Sequence, residues 1–314
     1  MKANRTKYGM VVTLLLLLMA AGCGKSYEEI KRENAEQQRK LMREDSAALK
    51  IAVMPTLYCL PLYVAKDRQL FDTLVDIRLK PFTAQMDCDT ALTRGRVEAM
   101  VTDLVRAERI VKEGMPLDYV AATNAYWLLI GNHHSRITNL KHLDDKMLAM
   151  TRYSVTDMLS DLAVDTVKLK PERVFRIQIN DVNVRLKMLE NNVMDALLLP
   201  EPYATQARIA KNKVLLDTRK LDMNMGVIAF RKDIMDDKTR KPQLDAFLKG
   251  YNAACDSISK NGVKHYRDVI QKYCKVSAQT LDSLPDSLNY PRAAAPREKD
   301  LEQARQWLAK RLGK

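Results

Sequence analysis

"LENNVMDALLLPEPY", residues 189–203, decides how the chain is read. Leu189 ends a stretch with helical spacing of apolar residues, and Asn192 is a type that tolerates left-handed backbone after a helix. An apolar run of strand length follows. It stops on Pro200-Glu201-Pro202, an acid held between two prolines. A strand that ends so abruptly is either a rigid turn or a device that aims a carboxylate.

The same pattern occurs earlier. Residues 92–103 read "LTRGRVEAMVTD". Three residues after Leu92 comes Gly95, as Asn192 comes three after Leu189. The acids Glu98 and Asp195 follow at equal spacing, then Ala99 and Ala196, then apolar strands ending on Asp103 and Glu201. Equal spacing over two helix-to-strand units predicts two similar lobes. In open α/β sheets, ligands bind beyond the carboxyl ends of the strands. Two facing lobes would line a cleft with those ends.

Outward from these units, strand and helix patterns alternate. "LKIAVMP", "VDIRLKPF", "VEAMVTDL" and "LDYVAAT" read as strands in the first half. "WLLIGNHH", Met147–Thr151, "VFRIQI", "MDALLL", "VLLDT" and "MGVIAFRK" read as strands in the second. Helical patterns lie between many of them, and Gly95 and Gly114 close two of these. Ser154 and Asp157 sit three apart at another helix start, an approximate capping box. After about Asp236 the pattern is helical. Alternation predicts βαβ units and an α/β fold with mostly parallel sheets flanked by helices.

The first residues have the layout of an export signal: Lys2, Arg5 and Lys7, an apolar run from Val11 to Met19, then Ala20-Ala21-Gly22-Cys23. The apolar run is shorter than the roughly 20 residues of a membrane span. Cys23 after small residues resembles a bacterial lipobox, so residues 1–22 are expected to be a lipoprotein signal and Cys23 the lipidated residue. Residues 23–48 are charged and nearly free of aromatics; they cannot fold alone and are expected to form a semi-rigid tether.

The formal charge of +13 falls by three with the leader, to about +10, and is spread along the chain. No dense basic run or aromatic-interleaved motif points to nucleic acid. Cys59, Cys88, Cys255 and Cys274 remain as an even number in an oxidising compartment. Pairing of Cys59 with Cys88 and of Cys255 with Cys274 stands beside four free buried thiols, and both readings stay open. No cysteine has metal-ligand spacing, no metal or other cofactor is expected, and His133-His134 read as surface residues.

"IAVMPTLYCLPLYVAKDRQLF" (51–71), "ALTRGRVEAMVTDL" (91–104), "YSVTDMLSDLAV" (153–164) and "RLKMLENNVMDALLLPEPYATQA" (185–207) together resemble the NMT1/THI5-like periplasmic solute-binding proteins, the substrate receptors of ABC importers. The resemblance covers about residues 49–235 and implies a type II periplasmic-binding-protein fold. It implies a first lobe of 49–125 plus 226–314, with C-terminal helices, and a second lobe of 126–225. By position it places Pro55, Thr56 and Leu57 at the cleft, with Thr102 and Asp103 after the matching strand. Arg152, Tyr153, Ser154, Val155 and Thr156 open a second-lobe helix whose N–H groups favour an anionic group. Glu201 and Tyr203 form the opposite wall, with Asn180 and Asp181 nearby. Met54, Met86, Met225, Tyr58 and Tyr63 read as core or as pocket lining.

The resemblance thus implies a monomeric, envelope-located, membrane-anchored receptor without turnover. It would capture a small polar or heterocyclic solute, anions among the candidates, for an ABC permease. A sensor or scavenger on the same fold, without an importer, is the second reading. A thiamine-pyrimidine-synthase-like enzyme fits poorly with an export signal and no cysteine cluster. Gly-x-Ser-x-Gly, zinc-helix and Walker motifs are missing.

Overall fold

The computed structural model describes residues 26–313. The expected signal peptide and Cys23 lie outside the described residues. Two compact units are present, divided after Ala48. The first contains helix α1 (Tyr27–Ala47), opened by a reciprocal capping box between Ser26 and Glu29 and without a buried residue. A 21-residue helix of this kind spans about 30 Å.

The second unit, from Leu49 onward, contains two five-stranded sheets. Strands β1 (Leu49–Val53), β2 (Ile77–Pro81), β3 (Ala99–Asp103) and β4 (Leu117–Thr123) belong to the first. Strands β5 (Trp127–Gly131), β6 (Lys146–Met150), β7 (Val174–Gln178), β8 (Ala196–Pro200) and β9 (Lys213–Asp217) form the second. β10 (Gly226–Arg231) returns to the first. The orders are β2-β1-β3-β10-β4 and β7-β6-β8-β5-β9. In both, four strands run in one direction and the fourth in order, β10 or β5, is antiparallel to both neighbours. The strands expected from sequence are all present. The two reversed ones were not anticipated, because an apolar run reads the same in either direction. Each reversed strand is the one entered from the other sheet, through residues 124–126 and 218–225.

Helices α2 (Leu60–Asp67), α3 (Gln85–Thr93) and α4 (Leu104–Lys112) connect the first sheet. Helices α5 (Val155–Thr166), α6 (Val182–Glu190) and α7 (Tyr203–Ile209) connect the second. α7 begins immediately after Pro200-Glu201-Pro202, where the sequence pattern showed only a turn. The C-terminal chain forms α8 (Lys232–Asp236), α9 (Lys241–Asn261), α10 (Arg267–Cys274), α11 (Ala278–Asp282) and α12 (Glu298–Leu312). α9 packs on α2 and α12 on α4.

Alternation along the buried strands separates two apolar clusters. Leu197 and Leu199 of β8 join one, Ala196 and Leu198 the other, as a period of two requires. All five residues of β8 are buried, which explains its unbroken apolar run.

The internal repeat seen in the sequence is also a repeat of bonds. Gly95 and Asn192 both adopt left-handed backbone, at φ 66° and 57°. The Glu98 carboxylate accepts the N–H of Lys50 in β1 at 2.6 Å, and the Asp195 carboxylate accepts that of Met147 in β6 at 3.0 Å. The carbonyl of Glu98 accepts Arg231 N–H at the end of β10; that of Asp195 accepts Asn132 N–H after β5. Both acids therefore tie the second strand in the order of a sheet, β1 or β6, to its reversed strand.

Candidate functional site

The carboxyl ends of β1 and β3 face those of β6 and β8 around a cavity of about 50 Å³. Thr56, Asp103, Ser154, Val155 and Thr156 line it, as the sequence suggested, together with Asn180, Met54 and Tyr58. Pro55 and Tyr203 line a separate groove of about 780 Å³, between Phe82, Thr83 and Tyr273 on one side and Asn183, Lys187 and Gln206 on the other. Leu57 and Glu201 line a small cavity with Tyr126 and Tyr290. Arg152 is exposed and borders an outer groove beside Phe175 and Arg311. Of the two orientations the sequence left open for Arg152, the outward one is observed. Thr102 is buried beside Asp103 but borders none of these cavities, and Tyr153 lies under the Arg109 guanidinium at 5.9 Å.

Asp103 is the centre of the site. It is the N-cap of α4: its Oδ1 accepts the N–H of Arg106 at 3.1 Å. The same oxygen accepts the N–H of Val155, the first residue of α5, at 3.0 Å. One carboxylate thus receives the heads of two helices, one from each sheet. The rest of the first turn of α5 is also occupied. Ser154 Oγ accepts Thr156 N–H at 3.1 Å, and the Ser154 carbonyl accepts Asp157 N–H at 3.0 Å. The sequence placed a solute's anionic group at this helix head; in the structure the chain's own side chains hold it. Burial pushes the Asp103 carboxyl up to about 6, while Arg106 and the two N–H donors oppose the rise.

Two buried arginines flank the cavity, and neither was picked out from sequence. Arg106, fully buried, forks onto Asp89 of α3, with Nε to Oδ1 at 3.3 Å. Its Nη1 is buried without a partner among the described residues. Burial raises the pKa of Asp89, against the pull of Arg106. On the opposite wall, Arg185 donates to the carbonyls of Ile179 and Leu198 and to Thr151 Oγ1. Burial lowers its pKa to about 10. A signal existed: each arginine lies in the first turns of a helix, three or four residues after an acidic N-cap, Asp103 or Asp181.

Glu201, one residue past the position that matches Asp103, is likewise a helix acid. Its Oε2 accepts Thr205 N–H of α7 at 2.9 Å, and its Oε1 accepts the Tyr126 hydroxyl at 3.1 Å. Arg208 approaches the same oxygen at 3.4 Å. Its backbone carbonyl accepts Leu57 N–H, across from the first sheet, at 2.9 Å. Asp181 caps α6 through Asn183 and Val184 and forms an isolated bridge with Ala84, the N-cap of α3.

The pairings of Cys59 with Cys88 and of Cys255 with Cys274 are not formed. All four thiols are free and buried. Burial pushes Cys59 up to about 12 and Cys255 to about 12, so neither is a thiolate at neutral pH.

No family model matches the sequence, and no curated protein matches it. Solved structures do. A ligand-binding component of an ABC-type import system from Staphylococcus aureus, with zinc bound, aligns with a TM-score of 0.71 at 18% identity, over 85% of this chain and 92% of that one. The periplasmic aliphatic sulphonate binding protein SsuA of Escherichia coli gives 0.68 at 18% identity, over 85% and 88%. The periplasmic nitrate-binding protein NrtA of Synechocystis PCC 6803 gives 0.67 at 15% identity, over 80% and 74%. These likenesses show that the chain has the periplasmic-binding-protein fold.

Proposed function

We propose that the protein is a solute-binding receptor that closes two lobes on a small polar or heterocyclic solute and presents it to an ABC permease. The lobes are residues 49–125 with 226–314, and residues 126–225. The observation that carries this reading is the buried cavity at the facing strand ends, where Arg106 Nη1 has no partner among the described residues. A buried donor without a partner costs free energy, and a solute acceptor would remove that cost. A solute touching both walls stabilises the closed arrangement by its differential affinity for it. The neighbours of similar fold are binding components named for sulphonate, nitrate or import, which supports a receptor in place of a catalyst. The same reading makes the protein a monomer of the cell envelope, anchored through acylated Cys23, with α1 as its spacer. Cys23→Ala should release it from membranes.

A thermal-shift screen of sulfonates, pyrimidines and dicarboxylates tests the reading. A receptor gains a rise in Tm that grows with solute concentration. A chain that turns any of these compounds over, or shifts with none, is not this receptor.

A further inference from the structure

The head of α5 is addressed as an anionic solute would address it, by a carboxylate oxygen on a first-turn N–H. That carboxylate belongs to Asp103. The next two N–H groups are held by Ser154, so this turn has no donor to spare. Charge points the same way. Asp89 and Asp103 are two buried acids around one arginine, Arg106. Arg185 across the cavity already donates through all three nitrogens. An incoming anion would therefore meet Asp103 as a like charge in a buried, poorly screened space. A buried donor without a partner among the described residues is Arg106 Nη1, on a guanidinium already neutralised by Asp89.

Resting on the receptor reading, we propose that Asp103 determines solute specificity by exclusion. Its carboxylate occupies the anion seat at the head of α5, so the cavity takes neutral solutes that offer an acceptor to Arg106 and rejects nitrate- and sulfonate-like anions. Selection here works by a built-in repulsion as much as by attraction.

Asp103→Ser separates these roles. Serine still caps α4 but is too short to reach Val155. Asp103→Asn keeps both acceptor bonds and removes only the charge. Methanesulfonate and its neutral counterpart methanesulfonamide are titrated calorimetrically into the full chain and both variants. The titration is run at about pH 8, where Asp103 is ionised. Methanesulfonate should bind Asp103→Ser at least about tenfold tighter than the native chain, the gain expected from removing one like-charge neighbour. Asp103→Asn should fall between the two. Methanesulfonamide should not follow that order. Equal methanesulfonate affinity in the native chain and both variants, including no binding in any, overturns the proposal. A native chain that captures a solute while neither variant gains methanesulfonate leaves the receptor reading intact and sinks only this one. A variant that gains methanesulfonate while the native chain captures nothing supports the seat and removes the receptor.

Discussion

Asp103 and Val155 are joined across the cleft by a single 3.0 Å hydrogen bond from a helix head to a side-chain oxygen. Its counterpart runs the other way: Leu57, at the head of the turn after β1, donates to the Glu201 carbonyl at 2.9 Å. Asp103, which ends β3, and Glu201, which follows β8, thus each hold the first turn of the opposite half, one through its side chain and one through its backbone.

The first consequence is a pH dependence. The Asp103 pKa is held at about 6 by burial, above its ordinary 3.8. A carboxyl with a raised folded pKa contributes stability that is full below the unfolded value and lost as pH rises through the folded one. The native chain should therefore lose this share between about pH 4 and pH 6. Asp103→Asn should lack it. Urea midpoints of the two chains should diverge across that window, with the asparagine variant gaining as pH rises. A difference that stays constant would mean an ordinary Asp103.

Arg106 and Asp89 form a buried pair, and removing one partner strands the other charge. Arg106→Met should cost about 3–5 kcal/mol. Adding Asp89→Asn should restore much of that loss. Chemical denaturation of the four chains in a double-mutant cycle measures the coupling. Additive losses would show that the pair is not formed.

Glu201→Ala leaves Thr205 N–H and the Tyr126 hydroxyl without their acceptor. A loss of about 1–3 kcal/mol is expected from unsatisfied buried donors. Arg152→Ala removes an exposed side chain and should stay within about 0.5 kcal/mol of the native chain. Equal effects in the two variants would contradict the placement of both residues.

Cys59, Cys88, Cys255 and Cys274 should resist iodoacetamide in the native chain and all take it up on denaturation without reductant. Peptide mass mapping reads each thiol separately. A disulfide-linked peptide pair would contradict the free state.

Much of this was legible in the sequence, for physical reasons that differ by residue. Gly95 and Asn192 marked the helix ends because few residue types tolerate left-handed backbone. The run at Leu197–Leu199 marked a fully buried strand. Strand direction was hidden, since β5 and β10 are apolar runs with no polarity in their pattern. The roles of the acids were half visible. Matching positions gave Asp103 and Glu201 away, but an N-cap and a ligand-facing carboxylate demand the same residue types. Arg106 and Arg185 were missed because arginine in a helix reads as a solvated face; their partners, Asp89 for one and Thr151 with the carbonyls of Ile179 and Leu198 for the other, are brought to them by the fold of their own half.

The most direct test of the receptor is native mass spectrometry of the full chain with a mixture of sulfonates, pyrimidines and dicarboxylates. It is compared with Asn180→Trp, which fills the cavity rim. One small solute should be held per native chain and lost from the variant. A native chain that holds none, or a variant that holds the same solute equally well, would contradict binding between the two sheets.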